Sequence, residues 1–546
     1  MTYKYAHPDL LLFKGNVWTQ DSATPKVEAI AIAEGRILEI GDNDTIRRLA
    51  RSDTKKINLN GRLVLPGFID THFHYYDWAL GRLDLDLAGL ASLDELTQVV
   101  QSAARQKKPG EWILGHGFNE SDWPVKRMPT RDDLDAVAPD NPVLLSRCDL
   151  HLAVANTIAL KKADINSSTP EPPKGVIAKD SLGRPNGILK EHAVHLVKVI
   201  IPRQEQKDIQ AAMRDGIPVL HSMGITGIHD IRMLGSLEGA TAFNCWQHLN
   251  DQGDLDLRCW VTISGECLEE AIVLGIQTGF GNDTLRIGHV KYFADGGMGA
   301  RTAWMLEPYL DAESGMSLIQ MKDLRQAALK ADQAGLAVAI HCVGDRTNRE
   351  IITLFENLEK SRNKSGNITS PSVPHRIEHV QMIRPEDASR LAHLNIVACV
   401  QPHNLILDMG MIDECLGPMG KYTYAFRTIL DAGIPTCLSS DAPVCDPRPL
   451  ANIHAAVTRR RPDGTPVGGW YPDQRISVDE AVRGYTLTPA IASGVDNQLG
   501  SISVGKRADL VIVDRNIFTI DPMDIISTRV DMTIFNGRIV YQRHVL

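Results

Sequence analysis

The stretch Leu63-Val64-Leu65-Pro66-Gly67-Phe68-Ile69-Asp70-Thr71-His72-Phe73-His74 is an apolar run that ends in two histidines separated by one residue. Such a run reads as a buried strand over 63–74, and period-2 alternation sends both imidazoles to the same side of its end. Seven further apolar runs closed by polar residues follow at 224–230, 257–264, 287–293, 337–342, 376–379, 396–401 and 436–441. Helix-like stretches such as 321–335 and 383–394 lie between them. Eight strands alternating with helices predict an α/β fold, a (β/α)₈ TIM barrel, with its active site at the C-terminal ends of the strands.

Two regions depart from the alternation. Residues 77–199 are richer in Pro, Trp and Asp, and they read as a substrate-capping insertion after the first barrel strand. The first 65 residues carry short strand patterns at 10–13, 27–33 and 36–40. The last segment carries strand patterns at 508–514 and 530–535, the latter joined to 538–541 by Asn536-Gly537, a hairpin signal because both positions favour positive φ. The expected organisation is therefore 1–65 with 488–546 as a composite β-sandwich, 66–76 with 200–487 as the barrel, and 77–199 as the inserted region.

With 546 residues, 43% of them hydrophobic, the chain can bury a large core over several domains. Its 58 Lys+Arg and 67 Asp+Glu leave a net charge of -9 without long blocks of one sign, which argues against nucleic acid or an anionic membrane as partner and for a small molecule. A homodimer is compatible with this composition. Nine scattered cysteines never form a CxxC pair; they indicate neither a disulfide framework nor a thiolate zinc knuckle and fit a cytoplasmic protein. Neither a signal segment nor an apolar run of membrane-spanning length is visible.

The triplet His72-Phe73-His74 decides nothing by itself in a chain with 18 His. Three further residues supply context: His341, His379 and Asp441 each close one of the predicted strands. Singly, each is more often a satisfied structural residue, but a barrel brings all five side chains to one face. Nitrogen and oxygen donors without sulfur suit Zn²⁺, Mn²⁺ or Fe²⁺, with zinc the default.

From Pro66–His74 through Val290–Gly296, Ala339–Asp345, Arg376–His379, Ser440–Pro443, Leu499–Ile502, Gly505–Leu510 and the closing Asn536-Gly537-Arg538, the chain resembles the amidohydrolase superfamily, in the branch of N-substituted formamide deformylase and exoenzyme-regulator-like proteins. The resemblance implies a site of one or two metals held by His72, His74, Lys291, His341, His379 and Asp441. Lys291 would act as a carbamate, formed when its neutral amine takes up CO₂; otherwise it is a lysine paired with Asp295 or a solvated strand-end charge. The implied chemistry is attack of a metal-activated water on a carbonyl, with Asp441 as proton shuttle to the departing nitrogen, unless Asp441 is a ligand alone.

In the insertion, Arg147, Asp149 and His151 alternate onto one face of an extended segment. They read either as substrate or oxyanion contacts or as the attachment of the insertion to the barrel. The related proteins usually have Gly where this chain has Leu150, which bears on the turn there. His403, after the seventh strand, and the aromatics Trp123, Trp304, Trp112 and Phe118 are candidate pocket residues, the aromatics being more often core. Cys342 has no base partner and reads as structural.

A hydrolase of a C–N bond in an amide, N-acyl or N-formyl compound is the reading these features favour. Ester or lactone hydrolysis uses the same activated water. Deamination is disfavoured because the Glu that deaminases of the superfamily place three residues after the fifth-strand His is here Gly344, with Asp345 one position later. A non-enzymatic regulator is the reading of a different class; the complete ligand set opposes it.

Overall fold

The computed structural model describes residues 7–202, 204–233, 238–365 and 370–543. Eight parallel strands follow one another in chain order around a single sheet. They are β1 (Phe68–Phe73), β2 (Ile225–Asp230), β3 (Arg258–Ser264), β4 (Leu285–Phe293), β5 (Val338–Cys342), β6 (His375–His379), β7 (Ile396–Val400) and β8 (Thr436–Leu438). Nearly every residue in them is buried, as a parallel sheet covered by helices on one face and packed within on the other requires. The sheet is nearly closed. No ladder joins β8 to β1, but the Asp441 amide donates to the His72 carbonyl at 2.8 Å and the His74 amide to the Ala442 carbonyl at 2.8 Å. The segments that carry candidate ligands thus also form the last seam of the barrel.

The run 63–74 is two strands rather than one. Leu63–Pro66 pairs antiparallel with Leu510–Val513 in a six-stranded sheet drawn from both ends of the chain, and only Phe68–Phe73 belongs to the barrel. Gly67 is the pivot: its amide donates to the Asp509 carbonyl while that of Phe68 donates to Gly224, so two sheets are bonded by adjacent residues. A β-carbon there would sit 2.3 Å from Thr226 Oγ1, which leaves room only for glycine. Likewise the run 27–33 divides into Lys26–Val27 and Ala29–Ala33, which pair in different sheets.

A four-stranded sheet (Arg36–Gly41, Ala29–Ala33, Leu10–Phe13, Lys55–Asn58) packs against the six-stranded one. Leu10, Leu12, Ile30 and Ile32 share one apolar cluster with Val64, Leu510, Ile512 and Ile534. Burying each such side chain stabilises the fold by about 1.5–3 kcal/mol. The hairpin turns at Asn536 (φ 49°) and Gly537 (φ 76°), as the dipeptide predicts.

Between β1 and β2 a separate six-stranded sheet is built, in the order Gly175–Lys179, Pro185–Glu191, Leu152–Ala155, Val143–Arg147, Ile113–Phe118, Leu85–Asp86. It has its own apolar clusters on its two faces. Among the described residues no helix is long and apolar enough to cross a membrane, and all nine cysteines are free thiols.

Candidate metal centre and its cavity

At the C-terminal mouth of the barrel, His72 and His74 come from the end of β1, Lys291 from β4, His341 from β5, His379 from β6 and Asp441 from the segment after β8. All six are buried. Ligand atoms of His72, His379 and Asp441 lie within 4.8 Å of one another. Asp441 Oδ1 is 3.3 Å from His72 Nε2 and 3.1 Å from His74 Nε2, and its Oδ2 is 3.9 Å from His379 Nδ1. The His341 and His379 rings are centred 4.4 Å apart. Both His379 (φ 72°) and Asp441 (φ 63°) occupy the left-handed region, a backbone cost of the kind that accumulates at functional sites.

Other nitrogens of these rings are held from behind. His74 Nδ1 lies 2.8 Å from the Ile231 carbonyl, and His72 Nδ1 is 2.6 Å from Glu378 Oε2. Burial pushes His72 down to about 4 and His379 to about 3, and it holds His341 well below its usual value. Neutral imidazole is the form that donates a lone pair to a metal. Burial alone would raise Asp441, but the surrounding His72, His74 and His379 keep it below the usual carboxylate range.

Two buried nitrogens at the centre are left without partners. Lys291 Nζ and His341 Nε2 have no hydrogen-bond partner, a costly condition for buried polar atoms unless a ligand satisfies them. Lys291 is not paired with Asp295. That carboxylate accepts instead from the amides of Val343 (3.0 Å), Gly344 (2.8 Å) and Trp304 (3.0 Å) and from the Thr347 hydroxyl (2.7 Å). Burial lowers the Lys291 amine to about 8 against the pull of Glu378 and Asp441, and Nζ rests 4.5 Å from the centre of the Phe293 ring.

The centre opens into a cavity of about 410 Å³ between barrel and insertion, lined by His72, His74, His341, His379 and Asp441 from the barrel and by Asp149, Leu150, His151 and Glu191 from the insertion. The segment carrying Asp149 and His151 is not extended: β-structure stops at Arg147 and resumes at Leu152. Leu150 has φ 59°, a left-handed conformation that glycine adopts without strain. The turn nonetheless groups the expected residues. Arg147 Nη1 is 2.7 Å from Asp149 Oδ2, Asp149 Oδ1 accepts from the His151 amide at 3.1 Å, and His151 Nδ1 is 2.9 Å from Glu191 Oε2. Burial would lower His151, yet Glu191 raises it to about 9.

The remaining candidates lie elsewhere. Trp123 is in the apolar core of the insertion, its indole N–H donating to the Leu90 carbonyl at 2.8 Å, and Phe118 packs beside it. Trp112 packs against the core on the other face of that sheet. Trp304 stacks under the Arg346 guanidinium, with its backbone bound to Asp295 and Thr347. His403 opens the helix Pro402–Leu416 and donates its amide to Asn452 Oδ1. None of these four aromatic residues, nor His403, lines the cavity. Arg147 stays behind the wall, bound to Glu120, Asn119 and Ser121 as well as Asp149. Cys342 is buried, and burial pushes its thiol well up, as befits a structural residue.

Two residues that strand alternation hides are Glu378 and Glu191. Period 2 sends Glu378 away from His379, but the positive φ at His379 breaks the alternation and both side chains reach His72. Glu191 ends a strand of the insertion with φ 49° and ψ -127°, and only the fold brings it to His151.

A profile of the amidohydrolase family matches residues 55–541. The chain is 32% identical over 545 residues to protein LONG AFTER FAR-RED 3 of Arabidopsis thaliana, covering 98% of this chain and 91% of that one. It is 28% identical over 559 residues to N-substituted formamide deformylase of Arthrobacter pascens, covering 98% of each. An uncharacterized metal-dependent hydrolase from Pyrococcus horikoshii superposes with a TM-score of 0.74 at 26% identity, over 94% of this chain and 99% of that structure. With its barrel, its histidine and carboxylate cluster and a match over most of its length, the chain belongs to the amidohydrolase family.

Proposed function

We propose that this chain hydrolyses the C–N bond of an amide, N-acyl or N-formyl small molecule. The observation that carries the reading is that His72, His379 and Asp441 bring ligand atoms within 4.8 Å of one another and line one cavity with His74 and His341, while Lys291 Nζ and His341 Nε2 have no hydrogen-bond partner. One or two divalent metals, zinc by default and Mn²⁺ or Fe²⁺ by the same donor chemistry, would be held by His72, His74, His341, His379, Asp441 and a carboxylated Lys291. When bound, such a metal supplies an acidic water and an electrophile for the substrate carbonyl.

The chain's own residues supply the proton transfers and the positioning. Asp441, within reach of His72, His74 and His379, accepts a proton at a carboxylate oxygen and returns it to the departing nitrogen, since an amine anion is too poor a leaving group. His151, in the cavity wall opposite, donates from Nε2 to the carbonyl oxygen of the substrate. Asp149 orients the turn that carries His151. Residues 77–199 cap the cavity; 1–65 and 488–546 form a composite β-sandwich, and 66–76 with 200–487 the hydrolase barrel.

Deamination is the less favoured reading because Asp345 is not available as a proton donor: it holds Arg384 at 2.7 Å and the Leu306 amide at 2.9 Å. The relative named as an N-substituted formamide deformylase supports a C–N substrate. The test is a panel of N-formyl and N-acyl amines, matched esters and lactones, and amino-heterocycles offered to zinc-loaded protein. Release of amine and carboxylate from the amides is expected. Turnover confined to esters, or ammonia released from the heterocycles, would replace the reading, and inactivity on every class would favour a non-enzymatic role.

A further inference from the structure

We infer that Glu191 is a positioning residue that, together with a glycine loop after β4, sets the His151 ring over the reaction centre; the inference rests on the hydrolase reading above. The contacts are directional. Glu191 Oε2 takes His151 Nδ1 at 2.9 Å, and Glu191 Oε1 accepts from the Thr302 hydroxyl at 2.5 Å. The Glu191 amide in turn donates to the His151 carbonyl at 2.9 Å. One buried carboxylate therefore ties the insertion to the barrel and occupies Nδ1 of the ring, leaving Nε2 for a molecule in the cavity, with the His341 ring centred 5.4 Å away.

Glu191 holds this place at a backbone conformation (φ 49°, ψ -127°) outside the regions a non-glycine residue favours. Strain of about 1–3 kcal/mol persists where surrounding structure over-determines it and is a mark of functional sites. The partner surface is the run Asp295-Gly296-Gly297-Met298-Gly299. A β-carbon on Gly297 would meet His151 Cδ2 at 2.8 Å, one on Gly299 would meet Asp149 Oδ2 at 2.6 Å, and one on Gly296 would overlap the Glu191 carboxylate. All three glycines are thus bare where polar side chains of the insertion approach, with Thr302 also against Gly296 and Arg147 also against Gly299. The loop is a seat shaped for the Asp149–His151–Glu191 row, and a displacement of about 1 Å in such a group costs about 100-fold in rate.

The test combines Glu191→Gln, Gly297→Ala and His151→Ala, in full-length metal-loaded protein, with metal content and Tm measured for each. Glu191→Gln keeps the shape and Gly297→Ala leaves Glu191 untouched, so loss of fold in one variant does not remove the other. Both are expected to lower kcat on the amide by about 100-fold with KM changed far less, and to add nothing in the His151→Ala background, because both act through that ring. Crystal structures of the two variants are expected to show the ring displaced. An undisplaced ring, or an equal loss with and without His151, would overturn the inference. Since ring position is read without turnover, an inactive wild type would sink the hydrolase reading and leave the positioning test standing.

Discussion

His72 and Glu378 form a fully buried pair, with Nδ1 2.6 Å from Oε2, and Arg376 holds the same carboxylate at 2.8 Å. Burial would raise Glu378, but Arg376 and His72 keep it well below the usual range. Glu378 is therefore an anion that fixes which nitrogen of His72 is presented to the centre, an arrangement that also makes the ring a stronger donor. Glu378→Gln is expected to weaken metal binding by about 10–100-fold in a chelator-competition titration. Affinity equal to wild type would show that His72 orients itself.

Removing the candidate ligands themselves is more drastic. The double variant His72→Ala/His74→Ala is expected to lose stoichiometric transition metal by elemental analysis after zinc supplementation, while wild type retains one or two per chain. A metal-free wild type would remove the basis of the centre.

Asp441→Asn separates two demands of the reaction. An amide needs an activated water and a protonated leaving amine; an activated ester needs only the first. Amide kcat is expected to fall by about 10²–10⁴-fold and ester turnover by less, with metal content checked in both proteins. Equal amide turnover would leave Asp441 as a ligand or structural residue.

If Lys291 is carboxylated, protein reconstituted with ¹³C-bicarbonate and metal should give a carbamate carbon signal that is absent from Lys291→Ala. Absence of the signal in wild type with full metal occupancy would favour a mononuclear centre without the lysine.

A stability prediction concerns Glu480, which caps the helix Val478–Tyr485 from Ser477 and pairs with Arg427 at 2.8 Å. The Arg427 hydrogen bond leads the causes that lower its carboxyl from 4.5 to about 2. A depressed folded-state value means the contribution is present above about pH 4.5 and is lost as the pH falls through 2. Urea midpoints should therefore place Glu480→Gln below wild type at pH 6, with the gap closing by pH 2; a gap independent of pH would assign the loss to packing.

The eight barrel strands were legible because a buried parallel strand is a continuous apolar run, and because side chains at the C-terminal strand ends must face the same mouth. That logic located His72, His74, His341, His379 and Asp441 without coordinates. It failed where a residue has no periodic signature. Trp123 and Trp304 are aromatic in either a core or a pocket wall, and His403 follows a strand yet turns into a helix start. The pivot at Gly67 escaped because Leu63–Phe73 reads as one strand, although its two halves bond to different sheets.

The amino-acid order alone determined the barrel, the strand-end histidines and aspartate and the motifs of the family, since each depends on local periodicity and on residue type at a fixed offset. Only the tertiary structure decided which groups stand behind them. Glu378 reaches His72 across 306 positions of the chain because β1 and β6 both line the barrel interior. Glu191 reaches His151 because the insertion folds back on a glycine loop 105 positions further on, at Gly296. Contacts of this kind depend on where distant strands come to lie, and burial then fixes their charge states; neither has a local signature in the sequence.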